Sequence, residues 1–131
     1  MIRVLGHFAP SVLDSAVIAS ELMTWLTERG VEPREVQIGV RTPKDTAAAC
    51  ESTPVLMEWH RDGAGPNPID TTITPAVKTM LVWSNGTPTG IRCETTQPGD
   101  VVLFDNVDNW HRSPPPEEGR WFVGIADPII R

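Results

Sequence analysis

From Glu35 to the end, the chain carries short β-prone runs cut off by proline, glycine or asparagine, with no sustained helical period between them. Runs this short bury one face only if a second layer covers them, so the pattern predicts a sandwich or barrel rather than repeated βαβ units. The 13 prolines fall largely between these runs, where they end strands and stiffen loops. Strands are expected near Val36 to Arg41, Pro54 to Arg61, Val77 to Ser84, Ile91 to Thr95, Val101 to Asp105, Trp110 to Arg112 and Arg120 to Ala126, with a further short one at Thr71 to Thr74. The segment SNGTPTG, Ser84 to Gly90, joins Asn-Gly to a proline and predicts a reversal whose flanking strands pair.

One helix is expected ahead of this region. Ser11, with Asp14 three residues on, resembles an N-cap with an acidic first turn, and Gly30 is the expected stop. Val12, Leu13, Ala16, Val17, Leu22, Met23 and Leu26 recur between them at helical spacing, so one face should pack on the β layers. Thr42 to Thr53 and Gly63 to Pro68 are expected to be loops, the second placed where a lid over a site would lie.

With 131 residues the expectation is one domain, 1–131. No apolar run approaches the roughly 20 residues of a membrane helix, and the N-terminal MIRVLGHFAPS has no signal-peptide core. Cys50 and Cys93 are far apart with no CxxC spacing, which predicts reduced thiols and a cytoplasmic protein with no membrane association. A net charge of -6 disfavours binding to nucleic-acid backbones.

The segment that carries chemistry is WHRDG, Trp59 to Gly63, at the end of an expected strand. Residues i and i+2 of a strand project together, so His60 and Asp62 share a face and Arg61 points away. His111 is the third ligand candidate, on a short returning strand in GDVVLFDNVDNWHRSPP, Gly99 to Pro115. Two imidazoles and one carboxylate on one side of an ion leave the opposite positions open, as a non-haem Fe(II) centre requires. His7 has no matching spacing. Arg120 opens the last apolar run, RWFVGI, and a guanidinium is the side chain best shaped for two-point capture of a carboxylate.

The order His-x-Asp, glycine-aspartate turn into an apolar strand, histidine, then arginine resembles the Fe(II)- and 2-oxoglutarate-dependent oxygenases, most closely over Trp59 to Asp62 and Gly99 to Ile125. The resemblance implies a mainly β fold, a double-stranded β-helix (a cupin-like jelly-roll) with one N-terminal α-helix packed on it. It implies that His60, Asp62 and His111 ligate Fe(II) and that Arg120 holds the distal carboxylate of the cosubstrate 2-oxoglutarate. Decarboxylation to succinate with O2 would then be coupled to oxidation, commonly hydroxylation, of a small molecule or an exposed side chain.

Three departures stand out. Phe122 occupies the position where many members place a serine that shares the carboxylate. Lys78 stands where some relatives put their carboxylate-binding lysine. The chain is also short for the family. Trp59, Trp110 and Trp121 are expected to point away from the site into a core between sheets, while Trp83 lies near the Ser84 to Gly90 turn. The competing reading is a cupin-type metalloprotein that uses the same triad for non-oxidative chemistry or binding and needs no Arg120.

Overall fold

A computed structural model describes residues 2–33, 38–61, 79–88, 90–91 and 96–131. The expected strand at Thr71 to Thr74, the Gly63 to Pro68 loop, Lys78 and Cys93 lie outside the described residues. The fold is mainly β, with antiparallel sheets and, among the described residues, two α-helices, compatible with a β-sandwich. The strands are β1 (Ile2–His7), β2 (Val31–Glu32), β3 (Val40–Arg41), β4 (Thr79–Ser84), β5 (Gly90–Ile91), β6 (Asp100–Asp105), β7 (His111–Arg112), β8 (Phe122–Ala126) and β9 (Ile129–Ile130). The helices are α1 (Ser15–Glu28) and α2 (Pro43–Ser52).

The main sheet has the order β1-β6-β4-β8-β3, and smaller pairs join β5 to β7 and β2 to β9. Register sorts the main sheet into two faces. Leu81, Trp83, Val101, Leu103, Val123 and Ile125 point one way and form a buried cluster with Ile18, Leu22 and Leu26 of α1. Each fully buried aliphatic side chain there contributes about 1.5–3 kcal/mol relative to exposure. This places α1 on one face of the sheet through Ile18, Leu22 and Leu26; of the residues read from its periodicity, Val12 and Leu13 precede the helix and, like Met23, are exposed. Val82, Val102 and Phe104 point the other way and pack with Ile91 of β5. Trp83 is buried with α1, its indole Nε1 donating to the Phe8 carbonyl at 3.0 Å, and so lies away from the face on which the histidines sit.

Several elements differ from expectation. The cap of α1 is Asp14, whose carboxylate accepts from the backbone N–H of Ala16 and Val17. Ser11 bonds instead to the Glu21 side chain. Gly30, at φ 74°, ends the helix as expected, its N–H donating to the Thr27 carbonyl. The Thr42 to Thr53 segment is helical: Thr42 and Asp45 form a capping box around Pro43 at the first turn. Pro54–Met57 is a 3₁₀ turn rather than the start of a strand. The strands either side of Ser84 to Gly90 do not pair with each other; both edges of β4 are taken by β6 and β8, so the chain leaves the main sheet and β5 joins β7. No helix among the described residues is long and apolar enough to cross a membrane.

Candidate metal centre

Between the main sheet and the β5–β7 layer lies a cavity of about 330 Å³, walled on the sheet side by Met80, Val82, Phe104 and Phe122. His60 and His111 face it from the opposite layer. They stand directly across an antiparallel bridge, the His60 N–H donating to the His111 carbonyl at 3.1 Å and the His111 N–H to the His60 carbonyl at 3.0 Å. Cross-strand partners project to the same face, which is why residues 51 positions apart bring their rings to 4.5 Å between centroids. Both are buried, and the Phe104 ring packs 5.0 Å from His111.

The two imidazoles are oriented alike. His60 Nδ1 lies 2.6 Å from the Glu58 carbonyl, and His111 Nδ1 lies 2.8 Å from the Asn109 carbonyl, in each case two residues back along the chain. A carbonyl only accepts, so Nδ1 carries the hydrogen and Nε2 the lone pair. That is the tautomer and support arrangement of metal-binding histidines. With metal–nitrogen distances of about 2.1 Å, rings this close can share one ion. The third candidate, Asp62, lies outside the described residues, and among the described residues no three His, Cys, Asp or Glu side chains form a metal-binding group.

On the outer face of the same bridge the neighbours alternate. Arg112 stacks over Trp59 at 4.7 Å and Arg61 over Trp110 at 5.0 Å, each an exchange between the two strands that hold the histidines. Trp59 and Trp110 therefore point away from the site as parity requires, but they take guanidinium partners and remain half-exposed. A core between sheets is not where they lie. Trp121 does pack against the α1-side core. Gly90 permits the Arg112–Trp59 stack, since a Cβ there would sit 3.2 Å from Arg112 Cγ and 3.3 Å from the Trp59 ring.

Arg120 precedes β8 and shares strand parity with Phe122 and Gly124, two residues of the cavity wall. It is 1% exposed, and its Nη1 donates to the Pro114 carbonyl at 2.9 Å. Nε and Nη2, the edge that grips carboxylates in two-point fashion, are buried with no hydrogen-bond partner among the described residues. Burial pulls the Arg120 pKa below its ordinary value, while Cys50 and Glu117 act in the opposite direction. Arg120 is not itself part of the cavity wall; its Cζ lies 5.9 Å from the Phe122 ring, which is.

A clasp that the sequence pattern does not reveal holds the Arg120 backbone. Asn85 donates to the Gly119 carbonyl at 3.1 Å and accepts from the Trp121 N–H at 2.6 Å. Thr87 gives its N–H and its hydroxyl to the Glu117 carboxylate at 2.6 and 2.7 Å, and these bonds lower the Glu117 pKa, the hydroxyl contributing most. Only the Asn-Gly pair hinted that this loop was specialised.

Of the expected site residues, the fold brings His60 and His111 together, while Arg120 directly precedes β8 of the facing main sheet. Arg41 of β3 also lines the cavity, next to Phe122, and the sequence pattern did not single it out. Comparison with family models finds no match, and neither curated proteins nor solved structures give a significant one.

Proposed function

We propose that this chain is an Fe(II)- and 2-oxoglutarate-dependent dioxygenase with a jelly-roll core. The observation that carries the reading is the buried His60–His111 pair, its Nδ1 atoms anchored on carbonyls, facing a cavity between two β layers. Asp62, two residues after His60, is the proposed third ligand. Support for the jelly-roll comes from chain order. β3, β4, β6 and β8 lie in the main sheet, and the His60 bridge, β5 and β7 come between them in the other layer. Such alternation is how a double-sheet jelly-roll is wound.

His60 and His111 fit two of the three ligands of an iron ion, and Arg120, 5.9 Å from the Phe122 ring of the cavity wall, carries a guanidinium suited to a carboxylate. When bound, iron with 2-oxoglutarate and O2 supplies the oxidising chemistry, in which decarboxylation to succinate is coupled to oxidation of the substrate. His60, His111 and Asp62 would hold the ion, a ligand set that leaves positions free for cosubstrate and oxygen. Arg120 offers a dry, unpaired guanidinium edge to a carboxylate, and low local dielectric strengthens that contact. Met80, Val82, Phe104 and Phe122 limit water around the reacting groups.

The test is anaerobic loading with Fe(II), followed by oxygen and labelled 2-oxoglutarate, with succinate and carbon dioxide measured for the wild type and His111→Ala. The expected result is one iron per chain and turnover, both lost in the variant. Iron binding that depends on His111 with neither binding nor turnover of 2-oxoglutarate favours the cupin-type reading. Absence of stoichiometric metal rejects both.

A further inference from the structure

We propose that the substrate is a small monocarboxylic acid with an apolar body, whose carboxylate is held by Arg41 at the cavity mouth; this rests on the dioxygenase reading and names its substrate class. The first ground is charge. The chain has 17 acidic and 11 basic residues, yet the described residues lining this cavity include Arg41 and no carboxylate, while Arg112 carries its guanidinium over Trp59 on the outer face. A cationic side chain on a concave wall favours an anion there.

The second ground is position. Arg41 pairs with Phe122 across β3 and β8, so its side chain rises from the same face, and its Cζ lies 5.8 Å from the Phe122 ring. Arg120 lies 5.9 Å from that same ring. Phe122, standing where a hydroxyl would help a single carboxylate subsite, is thus flanked by two guanidinium groups of different character. Arg120 is buried, suited to the cosubstrate; Arg41 is exposed at the rim, suited to a group arriving from solvent. The nearest acid in sequence, Asp45, accepts from the Thr42 N–H in the α2 capping box, and among the described residues Arg41 makes no hydrogen bond or ion pair that would occupy its donors.

The third ground is size and polarity. At about 330 Å³ the cavity is at the lower end of ligand sites. A metal and 2-oxoglutarate would occupy part of that space, which favours a small substrate. Leu56, Met80 and Phe104 offer its body no hydrogen bond. The planar fork of one arginine matches one carboxylate.

The test uses the full chain and an isosteric pair, 4-methylpentanoate and 4-methylpentanamide. Binding is measured by calorimetry for the wild type and Arg41→Gln. Each protein is measured metal-free and again with Fe(II) and saturating 2-oxoglutarate under anaerobic conditions. Circular dichroism confirms that the exposed substitution leaves the fold intact. The expected result is at least a tenfold preference for the acid in the loaded wild type. Arg41→Gln should abolish that preference while leaving amide affinity and 2-oxoglutarate affinity unchanged. Equal binding of acid and amide, binding of neither at millimolar concentration, or a preference that survives Arg41→Gln overturns the proposal. So does a loss of 2-oxoglutarate affinity in Arg41→Gln, which would make Arg41 the cosubstrate's partner. A failure of the dioxygenase reading shows separately, as absent His111-dependent iron uptake, whatever the metal-free protein does with the acid.

Discussion

Replacing Arg120 by methionine should make the ligand-free protein more stable and at the same time abolish its response to 2-oxoglutarate. The guanidinium is 1% exposed, with Nε and Nη2 buried and unpartnered. Each such group costs about 1–3 kcal/mol in unrecovered desolvation, so removing both relieves about 2–6 kcal/mol. Against this stands the bond from Nη1 to the Pro114 carbonyl, about 1.5–3 kcal/mol for a charged donor. Methionine has similar length and fills irregular space well. The net expectation is a gain of about 1–3 kcal/mol, in line with the stabilisation of about 1–4 kcal/mol found when buried ionic groups are replaced by packed apolar ones. With a urea m-value of about 2 kcal/mol/M, the unfolding midpoint should rise by about 1 M. Under anaerobic Fe(II), adding 2-oxoglutarate at about 100 times its Kd should stabilise the wild type by about 2.7 kcal/mol and the variant not at all. The order of the two proteins therefore narrows or reverses when cosubstrate is added. A variant that loses more than about 1 kcal/mol without ligand, or that is stabilised by 2-oxoglutarate as much as the wild type, would refute the reasoning and make Arg120 a structural residue.

Three further outcomes are expected. Gly99→Ala should destabilise by about 1–3 kcal/mol in urea unfolding, because Gly99 has φ 90° and a Cβ there would meet the His7 ring; a neutral result would mean the turn into β6 is free to shift. Thr42→Ala should cost about 1 kcal/mol through loss of the α2 capping box and leave iron affinity unchanged, as titration of both proteins would show. For Glu117 the sign follows from its lowered folded pKa: its contribution is present above the ordinary carboxylate value of 4.5 and lost as pH falls through the folded value. Glu117→Gln should thus be less stable than wild type near neutrality, and the gap should close in acid. A gap that widens on acidification contradicts the Thr87 clasp.

What the sequence made legible follows the range over which each signal acts. The apolar runs around Leu81, Leu103 and Val123 are a property of single strands, so the strand centres could be read directly; with both faces apolar, which face packs on α1 could not. Helix α2 was hidden by its apolar content, which is little more than a run of alanines, although its start was written in Thr42, Pro43 and Asp45. The pairing of strands around Ser84 to Gly90 was misread because a turn sequence states that the chain reverses, not which edge is vacant. Competition from β6 and β8 for both edges of β4 decided it. The two paired histidines were legible for a related reason. Strand parity aims His60, and pairing with His111 is all that is needed to bring the second ring alongside. Arg120 is different. Parity assigns its face, but its depth depends on Asn85 and Thr87 gripping residues thirty or more positions away. No local pattern encodes that contact. The unpaired guanidinium edge, on which the carboxylate argument turns, is therefore a product of tertiary structure alone. A substitution in the clasp, remote from any ligand, should disturb cosubstrate binding through the same residue.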